Sequence, residues 1–135
     1  MSELNLEIIT PEKSILKDLA ESITVPGTMG SFQILKNHAP LIGTFEIGII
    51  TVKKNSITLH FTTSGGTIEV NDNKVLVLAD SIEKIDGIDI DRAEKAKKRA
   101  EERLAHKNEE AIDQARAEAS LKRALNRISA VGKYK

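Results

Sequence analysis

Residues 75–100 read VLVLADSIEKIDGIDIDRAEKAKKRA, and the spacing of apolar residues changes within this stretch. From Leu4 to Ala79 apolar residues tend to alternate with polar ones, which is the period of strands that bury one face. After Asp86-Gly87 they recur at steps of three and four, which is the period of an amphipathic helix. The sequence therefore predicts two domains, a β domain at 1–87 and a helical domain at 88–135.

In the β domain, short apolar runs are separated by turn-forming residues. Alternation is clearest in two runs, which are Leu4, Leu6 and Ile8, and Ile57, Leu59 and Phe61. The turn signals are Pro26-Gly27, Lys54-Asn55, Gly65-Gly66 and Asn71-Asp72-Asn73. Short strands with tight connections predict an antiparallel sandwich or a small barrel.

The helical domain lacks proline, and its one glycine is Gly132. Its apolar positions form two stripes at helical spacing, which are Ala93, Ala96, Ala100 and Leu104, and then Leu121, Ala124, Leu125 and Ile128. Asp89 and Asp91 stand before the first stripe, where either can cap a helix. A reversal near Lys107-Asn108 predicts a two-helix hairpin, and one continuous helix is the alternative because neither Pro nor Gly forces a break.

Composition limits the classes of function. Aromatic residues make up 3% and there is no Trp, which weakens the case for base-stacking surfaces that bind single-stranded nucleic acid. There is no Cys, so disulfides and thiolate metal sites are excluded. No window is apolar enough for a membrane span, and the start lacks the layout of a secretion signal, so we expect a soluble intracellular chain.

Charge is distributed unevenly although the net charge is zero. Residues 1–87 carry a balance of −4 and residues 88–135 a balance of +4. A basic helical region on an acidic β domain suggests an anionic partner, such as an acidic protein surface, a nucleotide or nucleic acid. A solvated helix face is the alternative explanation of the same charges.

Several stretches, in order and over almost the whole chain, resemble the epsilon subunit of bacterial F-type ATP synthases. In the β domain they are 6–13 (LEIITPEK), Val25-Pro26-Gly27 with Gly30, Phe32, Ile34 and Leu35, 37–41 (NHAPL), Gly48 with Ile50, Ser64-Gly65-Gly66 with Glu69-Val70, and 75–80 (VLVLAD). In the helical domain they are 88–93 (IDIDRA), Arg116-Ala117, and Leu121 with Arg123-Ala124 and Asn126-Arg127.

This resemblance implies a flattened barrel or sandwich of about ten strands followed by a two-helix hairpin. It implies a non-catalytic subunit of a proton-translocating synthase, held peripherally on the cytoplasmic side of the bacterial plasma membrane. The partners it implies are the gamma subunit and the c-ring for the β domain, and an acidic segment of a beta subunit for the helices. In such a subunit the helices switch between a folded and an extended state, and the extended state inhibits ATP hydrolysis.

The resemblance also implies a regulatory ATP site. Ile88, Asp89, Arg92 and Ala93 look like the nucleotide-binding motif of some family members, in which ATP holds the hairpin folded. Arg99 lies seven residues beyond Arg92, on nearly the same helical face. The remaining candidates are Arg123 and Arg127, one turn apart on the second helix, and Glu83 before the hinge. The alternative is that Asp89 only caps the helix and that the arginines are solvated.

Other chemistries find little support. The glycines at 27, 30, 65 and 66 lack the spacing of phosphate-binding loops and are predicted to form turns. His38, His60 and His106 lack companions at metal-ligand spacing, and Ser64 lacks the preceding glycine of a nucleophile elbow. We therefore expect no catalytic residue, no metal site and no required cofactor. A basic-hairpin adaptor for nucleic acid or nucleotide is the alternative function, although an acidic β domain disfavours nucleic acid; an independent hydrolase lacks a recognisable set of catalytic groups.

Overall fold

The computed structural model describes residues 3–105 and 111–134. Within these residues the chain forms ten strands, a short 3-10 helix and two α-helices. The strands are β1 Leu4–Ile9, β2 Ser14–Ala20, β3 Ser22–Val25, β4 Phe32–Leu35, β5 Leu41–Phe45, β6 Gly48–Lys54, β7 Ile57–Thr63, β8 Gly66–Asn71, β9 Lys74–Ala79 and β10 Ile82–Lys84. The helices are the 3-10 helix Ile85–Gly87, α1 Ile90–Ala105 and α2 Ala111–Tyr134. The predicted β-sandwich followed by two helices is confirmed.

The ten strands form two five-stranded sheets. Sheet 1 has the order β2-β1-β9-β8-β5, and sheet 2 has the order β10-β7-β6-β3-β4. All neighbouring strands are antiparallel except β1 and β9, which are parallel and align Leu6 with Val75 and Ile8 with Val77. Four of the antiparallel pairs join consecutive strands, whereas β3–β6, β5–β8 and β7–β10 join strands that other strands separate along the chain. The parallel pair joins the first strand to a strand far along the chain.

The core of the sandwich consists almost entirely of aliphatic side chains. Leu4, Leu6 and Ile8 of β1 are buried, as their alternation predicts. In the second run the alternation holds less well: Phe61 is buried, but Ile57 is 59% exposed. Ile57 is the first residue of β7, directly after a turn, so the prediction of burial was wrong for this strand end.

Two tight turns connect antiparallel strands where the sequence predicts them, although the first lies one residue later than the predicted Lys54-Asn55 because Lys54 ends β6. Asn55 and Ser56 join β6 to β7, and Asp72 and Asn73 join β8 to β9. All four residues have a positive φ, between 47° and 70°. Two consecutive residues with positive φ form the type I′ turn, whose twist matches that of the strands it connects.

Gly66 departs from the prediction that it forms a turn, because it is the first residue of β8. Gly65 makes the turn before it, with a φ of +120°. A Cβ atom on Gly66 would overlap the carbonyl oxygen of Leu78 and would lie 2.9 Å from the Cα of Ala79. Glycine is therefore required here by the close approach of β9.

The chain divides into two compact units, Met1–Lys84 and Ile85–Lys135. We call them the sandwich unit and the helical unit. The division lies close to the boundary that the change of apolar spacing predicts after Gly87. None of the described helices has the length and apolar character of a membrane-spanning helix.

In the helical unit, α1 and α2 pack along each other. α1 has 16 residues and is about 24 Å long, whereas the five residues between the helices span at most about 20 Å. A connection of that length cannot carry the chain back to the start of α1, so the helices run antiparallel. The hairpin is thus the correct alternative and a continuous helix is wrong, while the predicted reversal at Lys107-Asn108 lies outside the described residues.

Candidate functional site

The two helices share a seam of small side chains. Ala93 and Ala100 of α1 are buried, and so are Ala117 and Ala124 of α2. Each pair is spaced by seven residues, which is about two helical turns, so the two alanines of a pair lie on the same face of their helix. We call these four residues the alanine seam. The second predicted stripe is only partly correct, since Leu125 is 44% exposed.

An arginine precedes every residue of the alanine seam. The four Arg-Ala pairs are Arg92-Ala93, Arg99-Ala100, Arg116-Ala117 and Arg123-Ala124. A residue lies about 100° around an α-helix from the next one, so each of these arginines lies beside the seam and not in it. We call Arg92, Arg99, Arg116 and Arg123 the arginine row.

The antiparallel arrangement brings all four arginines to one side of the hairpin. Viewed along α1 from its N-terminus, the residue before a seam alanine lies counter-clockwise from the seam. In the same view α2 runs toward the viewer, so the residue before one of its seam alanines lies clockwise from the seam. The seam of α2 also faces the opposite way, toward α1, so its arginines come to the same side as those of α1. The arginine row therefore follows a single side of the helical hairpin.

The row includes a residue that the sequence analysis missed. Arg92, Arg99 and Arg123 were predicted from the family motif and from helical spacing, whereas Arg116 was not. The repeated Arg-Ala pair, at seven-residue spacing in both helices, is the signal that identifies Arg116. Arg127 lies one turn beyond Arg123, on the same side of α2.

The cations of the two helices differ in their exposure. Arg92 and Arg99 are exposed, whereas Arg123 and Arg127 are half-buried. Arg123 donates a hydrogen bond from Nη2 to the Oγ of Ser120 at 3.2 Å. This bond links two residues one turn apart and limits the directions in which the guanidinium can point. Ser120 was not predicted, and its position three residues before Arg123 is the only sequence signal for it.

The family motif also forms the start of α1. The Oδ1 of Asp89 accepts a hydrogen bond from the backbone N–H of Arg92 at 3.1 Å, and its carbonyl oxygen accepts one from Ala93 at 3.0 Å. Asp89 is therefore the N-cap. Asp91, the other predicted cap, lies inside the first turn of α1. Ile88 is 4% exposed and donates its N–H to the carbonyl oxygen of Ile85 at 3.1 Å.

Glu83 differs from the other candidates in its location. It lies on β10 in the sandwich unit, where it is half-buried and pairs with Thr62 of β7. The other seven predicted residues belong to the helical unit.

The histidines described by the structure have local partners. The Nδ1 of His60 lies 3.1 Å from the Oγ1 of Thr51, and the Nδ1 of His38 lies 2.7 Å from the carbonyl oxygen of Ala39. His106 lies outside the described residues. Within 3–105 and 111–134, no three His, Cys, Asp or Glu side chains are grouped in a way that would hold a metal ion.

Comparisons with known families match both parts of the chain. Residues 3–85 match the beta-sandwich domain of the ATP synthase delta/epsilon chain, and residues 86–132 match the long alpha-helix domain of the same chain. The ATP synthase epsilon chain of Nitratidesulfovibrio vulgaris is 48% identical over 129 residues, which are 96% of each chain. That of Symbiobacterium thermophilum is 43% identical over 133 residues, covering 98% of this chain and 95% of its own length.

Two known structures share the fold at low sequence identity. A chain of the Euglena gracilis mitochondrial ATP synthase, determined with its OSCP, F1 and c-ring parts, has a TM-score of 0.86 at 19% identity. The match covers 97% of this chain and 82% of that one. A chain of the Tetrahymena thermophila mitochondrial ATP synthase, from its central stalk and c-ring, has a TM-score of 0.62 at 14% identity, covering 97% and 99%.

Proposed function

This chain belongs to the epsilon-chain family of the bacterial F-type ATP synthase, a family of non-catalytic subunits, and on that premise we propose that it couples and regulates the synthase. The sandwich unit binds the gamma subunit and the c-ring. The helical unit switches between a folded hairpin and an extended form that inhibits ATP hydrolysis. The chain is held through the complex at the cytoplasmic side of the plasma membrane, where the synthase translocates protons.

The small side chains of the alanine seam support a reversible hairpin. Burying a methyl group contributes about 0.8 kcal/mol, whereas burying a whole Leu or Ile contributes about 1.5–3 kcal/mol. A hairpin held by alanines packs closely, but it gains little free energy from doing so. A ligand that binds only the folded hairpin needs correspondingly little binding energy to change its population.

The arginine row supports ATP as that ligand, and it is the observation that carries the proposal. Arginine presents a planar fork of N–H donors that matches phosphate oxygens, and several arginines on one side suit a triphosphate. Arg92 and Arg99 bind from α1, and Arg123 and Arg127 bind from α2. A ligand that contacts both helices is lost when they separate, so its binding favours the folded hairpin.

The non-arginine residues of the motif act through the start of α1. Asp89 holds the first turn by capping it, and Ile88 anchors the chain before the cap. Ala93 belongs to the buried alanine seam, and its small side chain lets the two helices approach closely, which brings the arginines of both helices near one ligand. Glu83, on β10, is the remaining candidate, and E83Q tests it separately because the substitution removes the charge and keeps the size of the side chain.

The same arginines explain inhibition in the extended form. When the hairpin opens, Arg123 and Arg127 of α2 no longer bind the nucleotide and become available to an acidic segment of a beta subunit. The positive balance of residues 88–135 favours this encounter. ATP and the acidic segment therefore compete for the same cations, which links the nucleotide level to inhibition.

An ATP titration of the isotope-labelled full chain tests the proposal. Chemical shift changes are expected in α1 and α2 of the wild type. R92A should weaken binding by about tenfold or more, since one charge-assisted hydrogen bond contributes about 1.5–3 kcal/mol. K98A is the matched control, because Lys98 is exposed and lies two residues before Ala100, on the face away from the seam. Absence of shifts at millimolar ATP, or equal losses in R92A and K98A, would contradict the ATP site.

A further inference from the structure

The two connections that cross between the sheets near the end of the sandwich unit lie side by side. Ser64-Gly65 joins β7 of sheet 2 to β8 of sheet 1, and Asp80-Ser81 joins β9 of sheet 1 to β10 of sheet 2. β7 also pairs with β10, and β8 pairs with β9. The second crossing is the last one before the chain enters the helical unit.

Hydroxyl groups and backbone groups join these two connections. The Oγ1 of Thr63 donates to the carbonyl oxygen of Ser81 at 3.0 Å and accepts the N–H of Gly65 at 3.2 Å. The Oγ atoms of Ser64 and Ser81 share a hydrogen bond of 2.6 Å. The N–H of Ser64 donates to the carbonyl oxygen of Ser81 at 3.3 Å, and the N–H of Asp80 donates to that of Gly65 at 2.8 Å.

Thr63 is the central member of this group. It is 4% exposed, so little water can replace the hydrogen bonds between its hydroxyl and its two partners. One of these partners is the N–H of Gly65, in the turn with positive φ, and the other is the backbone directly before β10. The hydroxyl therefore fixes both crossings at once. A valine at this position would have nearly the same shape, but it would leave both partners without this bond.

The strand that follows is short. β10 has three residues and lies at the edge of sheet 2, where it pairs with β7. Short edge strands exchange their amide hydrogens readily unless other contacts hold them. Ile82 contributes one buried side chain to the sandwich core.

We propose that the hydroxyls of Thr63, Ser64 and Ser81 form a clasp that holds β10 on the sandwich, so that Lys84–Ile85 is the fixed attachment point of the helical unit. The clasp makes Thr63 a positioning residue for the conformational switch. When the hairpin opens, β10 stays paired with β7 and the chain moves only beyond Lys84. The statement that the chain moves only beyond Lys84 when the hairpin opens rests on the proposed function. The statement that the clasp anchors β10 does not.

Hydrogen exchange of the full chain, with and without millimolar ATP, tests the clasp. T63V is expected to exchange its β10 amides at least about fivefold faster than the wild type, because a lost hydrogen bond changes a local opening equilibrium by about that factor. T63S keeps the hydroxyl and is expected to restore protection. T58V is the matched control, since Thr58 is an exposed threonine on the same strand.

The outcomes separate the clasp from the proposed function. Faster exchange confined to β10 and the two crossings in T63V, with rescue by T63S, supports the clasp; equal acceleration in β1 and β9 would instead indicate general destabilisation and overturn it. Unchanged β10 protection in T63V also overturns it, as does a wild-type β10 that opens together with α1 and α2. If ATP changes nothing in α1 and α2, the proposed function fails, while the comparison of T63V with T63S still decides whether β10 is anchored.

Discussion

The carboxylate of Asp89 has a structural role that a substitution can separate from a ligand role. D89A removes the N-cap bond to the N–H of Arg92 and is expected to lower the free energy of unfolding of the helical unit by about 0.5–2 kcal/mol. D89N retains a good N-cap and loses the charge, so it should lie within a few tenths of a kcal/mol of the wild type. Circular dichroism during urea denaturation measures both values.

An ATP titration of the same two variants completes the assignment. If Asp89 serves the site by capping α1, D89N should bind ATP nearly as the wild type does, and D89A should bind more weakly. Loss of binding in D89N with unchanged helix stability would instead show that ATP requires the negative charge itself.

The lowered pKa of Asp18 predicts how the stability of the sandwich unit depends on pH. A hydrogen bond from Lys54 lowers the pKa of Asp18 below its ordinary value of 3.8, and the backbone N–H of Leu19, at 2.8 Å, lowers it further. A carboxyl whose pKa is depressed by folding contributes stability above its unfolded pKa, and that contribution disappears as the pH falls through the folded pKa. D18N should therefore flatten the pH dependence of stability below about pH 4.

The size of this effect is limited by solvent, because the pair is exposed. The side chains of Lys54 and Asp18 are 29% and 44% accessible. Added salt should reduce the difference between D18N and the wild type, since exposed ion pairs are screened. Acid unfolding curves at low and high salt measure both effects, and identical curves for the two proteins at low salt would contradict the assigned role of Lys54.

At the scale of elements, the alanine seam predicts which substitutions open the hairpin. Ala117 is 0% exposed, so A117L forces extra methyl groups into the seam and should cost about 1–3 kcal/mol. The exposed Ala115 on the same helix provides the control A115L, which should be nearly neutral. Hydrogen exchange should show faster exchange in α1 and α2 of A117L, with β1 and β9 unchanged. Equal protection of both helices in A117L and A115L would show that the seam does not hold the hairpin.

Local patterns predict the elements better than they predict the pairing of those elements. Alternation and turn residues predict the strands, and the absence of Pro between Ile88 and Lys135 predicts the helices. The parallel pairing of β1 with β9 is not predicted, because it joins segments far apart in sequence and depends on how the two sheets cover each other. The prediction that Ile57 is buried fails for a related reason, since alternation does not show how far along a strand the core extends.

The candidate site shows the same division between local and distant information. Arg92 is predicted from the family motif and Arg99 from its seven-residue spacing to Arg92, and the Asp89 cap follows from its position before the first stripe. The position of Arg123 on the same side as these residues can be derived only when the alanine seam and the antiparallel direction of the helices are known. Gly66 was assigned to a turn because glycine pairs usually form turns, whereas its actual reason is the close approach of β9, which no local pattern reveals.

At the scale of the whole molecule, the division into two units predicts that the sandwich folds alone. All members of its hydrophobic core cluster lie between Leu4 and Ile82, so removal of the helical unit takes no residue from that cluster. A chain of residues 1–87 should therefore unfold cooperatively, and its β1 and β9 amides should remain protected. Loss of this protection would show that the sandwich depends on the helices.

The same truncated chain tests the regulatory part of the proposal in an assembled enzyme. The ATPase rate of a bacterial synthase core that lacks its epsilon subunit is measured after adding the full chain, residues 1–87, or the full chain with R123A and R127A. We expect all three to bind, but only the unmodified chain to slow hydrolysis, by about fivefold or more, because couplings between sites are typically 1–3 kcal/mol.

Raising ATP should relieve this inhibition, since ATP competes with the acidic segment for the same arginines. Equal slowing by all three would assign inhibition to the sandwich unit. If the double variant slows hydrolysis and residues 1–87 do not, the helices inhibit, but Arg123 and Arg127 are not needed for inhibition.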